Sequence, residues 1–287
     1  MKSSEVRFGA MADPHCGGEE ALYGSLQYWK TEAQKAKEKG ASFLALAGDI
    51  THRGKPEEAA LIAGVLVDVF GKGNVFTVLG NHDLLSGQER QIKRILERRG
   101  VVVMDDKATV RVINGQRVGF IGMNGSVSIE EHSAIAKLPP EARPQAFHAI
   151  TARRYLPQFL ENLAALERSQ VDAIVALIHI PITRHQYSDL PHDRLHEMTD
   201  QTALALESAS AVAKIAVGGH SHSSRGNPMW MRLDPVAYTE NGLVALNVAG
   251  PTSIYHGRDG IEVMSLFASQ HEPVRRLRNS APISDVS

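Results

Sequence analysis

Five segments of the chain leave an apolar run and pass at once into side chains that bind metal ions. They are Asp13-Pro14-His15, Gly48-Asp49, Gly80-Asn81-His82-Asp83, His179 within Leu177-Ile178-His179-Ile180-Pro181, and Gly219-His220-Ser221-His222. Each alone has an ordinary reading: a capped turn, a simple turn, an Asx-turn, a satisfied core histidine, an accidental His-x-His pair. Together they form a mixed nitrogen and oxygen donor set. It consists of the carboxylates of Asp13 and Asp49, the amide oxygen of Asn81, and the imidazoles of His15, His179, His220 and His222. Such a set suits Mn, Fe or Zn and is too rich in nitrogen for a dedicated Mg or Ca site. Seven ligands are too many for one tetrahedral ion and enough for two ions sharing a bridge, which an aspartate can make with its two oxygens. Two ions about 3.5–4 Å apart would clamp the attacking and leaving oxygens of an in-line displacement, and a water between them, its pKa lowered toward neutrality, would be the nucleophile.

The elements that must position these residues alternate. Val6 to Met11, Ser42 to Ala47, Val75 to Leu79 and Val101 to Met104 are short apolar runs that read as buried strands. Between them lie helices at Glu20 to Lys39, Pro56 to about Phe70, and Gln88 to Arg99; the second is expected to turn Leu61, Val65 and Val69 inward. This order implies a mostly parallel sheet with helices on its faces, and ligands then gather beyond the carboxyl ends of the strands. Glycines 48, 80 and 219 would let the backbone turn sharply and approach the cluster.

The second half differs. Val110 to Ile121 alternates around Asn114-Gly115, a strong hairpin signal, and Asn241-Gly242 and Asp259-Gly260 suggest two more. Residues 125–150 carry three prolines and read as irregular: an insertion that would cap the site or form an oligomer contact. A helix follows to about Arg168, a strand at Val171 to Ile180, a helix at Leu195 to Ser210, and a strand at Lys214 to Val217. Residues 1–272 thus read as one domain with two packed mixed sheets, and 273–287 as a flexible tail.

Composition excludes other classes. With 287 residues and one cysteine, Cys16, there is no disulfide framework and no cysteine-rich zinc module. The 31 basic and 32 acidic side chains leave a formal charge of -1, which argues against an extended nucleic-acid surface. No window approaches the ~20 apolar residues of a membrane span. The lone thiol and the lack of a signal-like apolar stretch make the cytoplasm the expected location. Cys16 reads as packing, Arg153-Arg154 as a solvated face.

The motif set resembles the calcineurin-like metallophosphoesterase family, whose pattern runs D-x-H, G-D, G-N-H-D/E, H, G-H-x-H, over residues from about 5 to 265. The resemblance implies a four-layer αββα sandwich of two mixed sheets flanked by helices. It implies one metal ion on Asp13, His15, Asp49 and His222, and a second on Asp49, Asn81, His179 and His220, with Asp49 bridging. Asn81 and His82 would also meet the phosphate, His82 would protonate the leaving alkoxide, and Asp83 would orient His82. Many relatives carry another acidic or amide residue after Gly-Asp; here Ile50-Thr51-His52-Arg53 follows, which makes His52 and Arg53 candidate substrate contacts. His185 is a further candidate pocket residue. The expected function is hydrolysis of a small phosphoester, first a phosphodiester, in the manner of bacterial phosphodiesterases. A phosphomonoesterase or protein phosphatase, a nuclease, a lipid-precursor pyrophosphatase and a non-catalytic scaffold of the same fold are the alternatives.

Overall fold

The computed structural model describes residues 5–18, 24–180, 197–219, 236–238, 242–248, 261–266 and 274–277. The first four strands are β1 (Val6–Met11), β2 (Phe43–Ala47), β3 (Val75–Val78) and β4 (Val102–Val103). They alternate with α1 (Leu26–Glu38), α2 (Pro56–Phe70) and α3 (Glu89–Arg99). A hairpin follows, β5 (Ala108–Ile113) and β6 (Gln116–Met123), then α4 (Ile129–Ala136), α5 (Arg143–Arg168), β7 (Ala173–Ile178), α6 (Glu197–Ser208) and β8 (Ala213–Gly218). The last strands are β9 (Val236–Tyr238), β10 (Leu243–Asn247), β11 (Glu262–Leu266) and β12 (Val274–Leu277).

These strands make two six-stranded sheets, ordered β12-β11-β1-β2-β3-β4 and β5-β6-β7-β8-β10-β9. Strands β1 to β4 pair in parallel, as do β6, β7, β8 and β10. Strands β5, β9, β11 and β12 join antiparallel. Because both faces of the central strands are covered, β2, β7 and β8 are apolar at nearly every position and wholly buried.

Three apolar cores separate four layers. Phe8, Phe43, Phe76, Phe120, Val175 and Ile215 fill the space between the sheets. There the rings of Phe76 and Phe120, one from each sheet, stack at 3.9 Å. Trp29, Ile62, Leu66, Ile92 and Leu96 seal α1, α2 and α3 against the first sheet. Phe159, Leu163, Ala203 and Leu206 seal α5 and α6 against the second. This is the αββα sandwich that the sequence led us to expect.

Four details correct or sharpen the sequence reading. Helix α2 buries Ala59, Ile62, Ala63, Leu66 and Phe70, whereas Leu61 is 53% exposed. The helix is apolar on almost every side, so a three-and-four spacing can be drawn along more than one face, and the sheet selects the one richer in small residues. The 125–150 segment is largely helical. Ser128 and Glu131 form a capping box at the start of α4, and α5 begins at Arg143, with a proline tolerated in its first turn. The hairpin at Asn114-Gly115 turns with both residues at positive φ, 52° and 83°, the geometry a two-residue loop needs. Finally, β12 takes Val274–Leu277 out of the expected tail and pairs it with β11, Val274 entering the inter-sheet core. The Asp259-Gly260 hairpin lies outside the described residues.

Candidate metal centre

The loops leaving β1 and β2 continue side by side beyond the strands. Asp13 N donates to Gly48 O, His15 N to Asp49 O and Cys16 N to Ile50 O, each at 3.0 Å. On the second sheet, Gly219 N donates to His179 O at 3.0 Å, so the ends of β7 and β8 also stay paired. Asp13, His15 and Asp49 hold φ of 53°, 41° and 48°, a left-handed backbone that costs a non-glycine residue about 1–3 kcal/mol. Half of the six non-glycine residues at positive φ among those described therefore sit in these two loops. Glycine is required where the loops meet. A Cβ at Gly48 would lie 2.6 Å from His179 Nδ1, one at Gly219 would lie 2.7 Å from Asp13 Oδ2, and one at Gly80 would overlap Asp49 Oδ1.

Those loops bring five candidate ligands together at one end of the two sheets. Asp13, His15, Asp49 and His179 are buried, and Asn81 is half-buried. Donor atoms of Asp13, His15 and Asp49 all lie within 4.8 Å of one another. His15 Nε2 is 3.6 Å from Asp49 Oδ2, and His179 Nε2 is 3.5 Å from Asp49 Oδ1, so Asp49 stands between the two imidazoles. His179 Nδ1 donates to Ala47 O at 2.9 Å, which fixes the tautomer and leaves Nε2 as a lone-pair ligand atom, with Asn81 Oδ1 2.9 Å away as a second. Burial holds His179 neutral, with its pKa lowered to about 4. A neutral imidazole nitrogen, an amide oxygen and two carboxylates converging in a dry pocket fit divalent cations of the manganese, iron or zinc type. His220 and His222, the remaining expected ligands, lie outside the described residues, as does His185.

Asp83 serves the loops rather than its neighbour. Its Oδ2 accepts from Ile50 N at 3.1 Å and Gly80 N at 2.9 Å; its Oδ1 accepts from Thr51 N and Thr51 Oγ1, both at 2.8 Å. Burial and the nearby Asp49 carboxylate push Asp83 up to about 7, against the pull of those donors. The expectation that Asp83 orients His82 is corrected here. His82 Nδ1 donates to His52 O at 2.8 Å, because the Asp83 side chain turns inward to the loop backbone. His82 N in turn donates to Asp49 Oδ1 at 2.8 Å.

His82 is half-buried, with its ring edge-on to that of His15 at 4.4 Å between centroids. His52 lies 5.5 Å from His82 and 5.7 Å from His15, and its pKa is lowered by burial and by the neighbouring His82 and Arg53. Arg53 is exposed at the rim. Cys16 is buried and its thiol is pushed up to about 11, which leaves it a protonated packing residue. Glu58, in the first turn of α2, escaped the sequence reading. Its Oε2 accepts from His52 N at 3.1 Å and Arg53 N at 3.0 Å, holding the loop whose carbonyl holds His82. An acidic residue there looks like ordinary helix-start chemistry, so nothing in the sequence marks it.

The family model for calcineurin-like phosphoesterases matches residues 6–224. None of the curated protein sequences matches the chain. Among solved structures, a 5'-nucleotidase precursor from Thermus thermophilus superposes with a TM-score of 0.52 at 15% identity, over 94% of this chain and 53% of that one. The NAD nucleotidase of Haemophilus influenzae gives 0.53 at 13% identity, over 96% and 49%. The phosphopantetheinyl hydrolase of Mycobacterium tuberculosis gives 0.51 at 18% identity, over 96% of both chains. The chain thus spans about half the length of the two nucleotidases, and at these identities the likeness is one of fold. With the family model covering most of its length, the chain belongs to the calcineurin-like phosphoesterase family.

Proposed function

We propose that the chain is a metal-dependent phosphoester hydrolase that acts on small phosphodiesters. One observation carries the reading: Asp13, His15, Asp49, Asn81 and His179, distant in sequence and borne on both sheets, converge with His82 beside them. One ion would be held by Asp13, His15 and Asp49 with His222, and a second by Asp49, Asn81 and His179 with His220. When bound, such ions supply positive charge to the phosphoryl oxygens and to the attacking water. His82 holds its Nδ1 proton on His52 O and keeps Nε2 for the proton that the leaving alkoxide takes up. The Asp49 carboxylate accepts from the backbone of His82 as well as facing both imidazoles, so it ties the acid to the ligand set.

Charge in the described loops of the site favours a diester. The loops 12–18, 48–54 and 80–87 contain a single arginine, Arg53, and no lysine. A phosphomonoester dianion carries one more negative charge than a diester and would call for more fixed cations at the site. The test is hydrolysis of bis(p-nitrophenyl) phosphate and p-nitrophenyl phosphate with added Mn, against an EDTA-treated control. Metal-dependent diester turnover well above monoester turnover supports the reading; a reversed order assigns a phosphomonoesterase, and no turnover with metal bound leaves a scaffold.

A further inference from the structure

A cavity of about 490 Å³ opens beside Asn81. Its floor consists of residues that directly adjoin the metal-centre segments: Leu84 and Leu85 follow His82-Asp83, and Ile180 follows His179. Its roof is the insertion, with Ile129 and Ile135 of α4 and Phe147 of α5. The insertion is fixed in place. Tyr155 Oη donates to Ser126 O at 2.6 Å, and Arg154 pairs with Glu131, joining α5 to α4. Leu85 and Ile129 leave 42% and 38% of their surface in water and line the same space. At the cavity's edge stands Arg143. Its Nε donates to Leu138 O at 2.9 Å, and among the described residues it pairs with no carboxylate.

We propose that this cavity receives the organic group of the substrate, and that the group is apolar and not cationic. The inference rests on the phosphoester reading above and adds to it a substrate class. Position supports it, since Asn81, a candidate metal ligand, itself lines the cavity. Size supports it, because cavities of about 300–1,000 Å³ enclose a small organic ligand. Lining supports it too: burial of an aryl group against Leu85, Ile129 and Phe147 removes from water surface that is otherwise exposed. The Arg143 guanidinium at the edge disfavours amine-bearing groups.

The test uses phosphonates, which bind without being hydrolysed, on the Mn-loaded full chain. Isothermal titration compares benzylphosphonate, methylphosphonate and 2-aminoethylphosphonate. We expect benzylphosphonate to bind about 10-fold or more tightly than methylphosphonate, and the amine to show no gain. Ile129→Asp, at an exposed position, and Phe147→Ala should each reduce the benzyl preference several-fold while methylphosphonate affinity stays the same. Equal affinity for benzyl and methyl overturns the inference, and so does a preference that survives both substitutions or an amine that binds best. If neither phosphonate binds although a nitrophenyl ester is hydrolysed, the inference alone fails. If nothing binds and no ester is hydrolysed with metal present, the phosphoester reading fails and the inference with it.

Discussion

Asp83 is where the structure makes its sharpest claim about stability. One buried carboxylate accepts four hydrogen bonds, three from backbone N–H groups of Ile50, Thr51 and Gly80 and one from the Thr51 hydroxyl. Asp83→Ala removes all four acceptor contacts and strands three buried donors. Each stranded donor costs about 1–3 kcal/mol, so the gross loss is about 3–9 kcal/mol. Part is returned, because the variant no longer buries a carboxylate beside Asp49, a cost of several kcal/mol. Taking the middle of that range, about 6 kcal/mol, and a return of about 2–3 kcal/mol, the net expectation is a loss of about 3–4 kcal/mol, a large share of the roughly 5–15 kcal/mol that holds a typical domain folded. Urea unfolding of the metal-free protein measures it, with the midpoint falling while the slope stays constant. Asp83→Asn keeps one acceptor oxygen but turns an NH2 group toward donors, so it should lie between wild type and alanine. A loss below about 1 kcal/mol for Asp83→Ala would refute the claim that this carboxylate clamps the loops together.

His82→Ala should keep its metal content and lose about 10²-fold or more in diester turnover; unchanged turnover removes the proton-donor assignment. Glu58→Ala should release the loop that carries His52 O and lower kcat about 10-fold with little change in KM, while Glu58→Gln, which keeps an acceptor oxygen, should restore most of it. An equal loss in both variants would mean that the charge, and not the loop geometry, is what matters. For His179, imidazole NMR of the metal-free protein should show the Nδ1–H tautomer at pH 6 and a midpoint near 4; a midpoint near 6.5 refutes the buried neutral ring. With a lowered folded-state pKa, His179 contributes stability that is present above about 6.5 and lost as pH falls toward 4. Asp83 acts oppositely over an overlapping range: its raised pKa gives stability that is present below the usual carboxylate value and lost as pH rises toward 7. The titration of the ring itself is therefore the cleaner readout.

Much of this was legible in the sequence because strand ends announce themselves. Apolar runs stop at glycine or aspartate, and the ligand types stand at the stop, so both the parallel sheet and the gathering of Asp13, Asp49, Asn81 and His179 could be read from residue order alone. What was hidden depends on three-dimensional direction. No spacing rule distinguishes an Asp83 that faces His82 from one that faces the Thr51 backbone. Glu58 was invisible because its acceptor role depends on a loop that ends several residues before it. The inward face of α2 was misread because a helix apolar on nearly all sides leaves the choice to its neighbours. In the insertion, three prolines masked the Ser128–Glu131 capping box, although the box itself was a readable signal.

The central claim is that the converging loops form one two-ion site with Asp49 at its centre. The direct measurement is metal content per chain in wild type and in Asp49→Ala after equilibration with Mn and removal of excess. We expect two ions in wild type and the loss of both, or retention of one weakly, in Asp49→Ala, with diester turnover lost in parallel. Two tightly held ions in Asp49→Ala would contradict it.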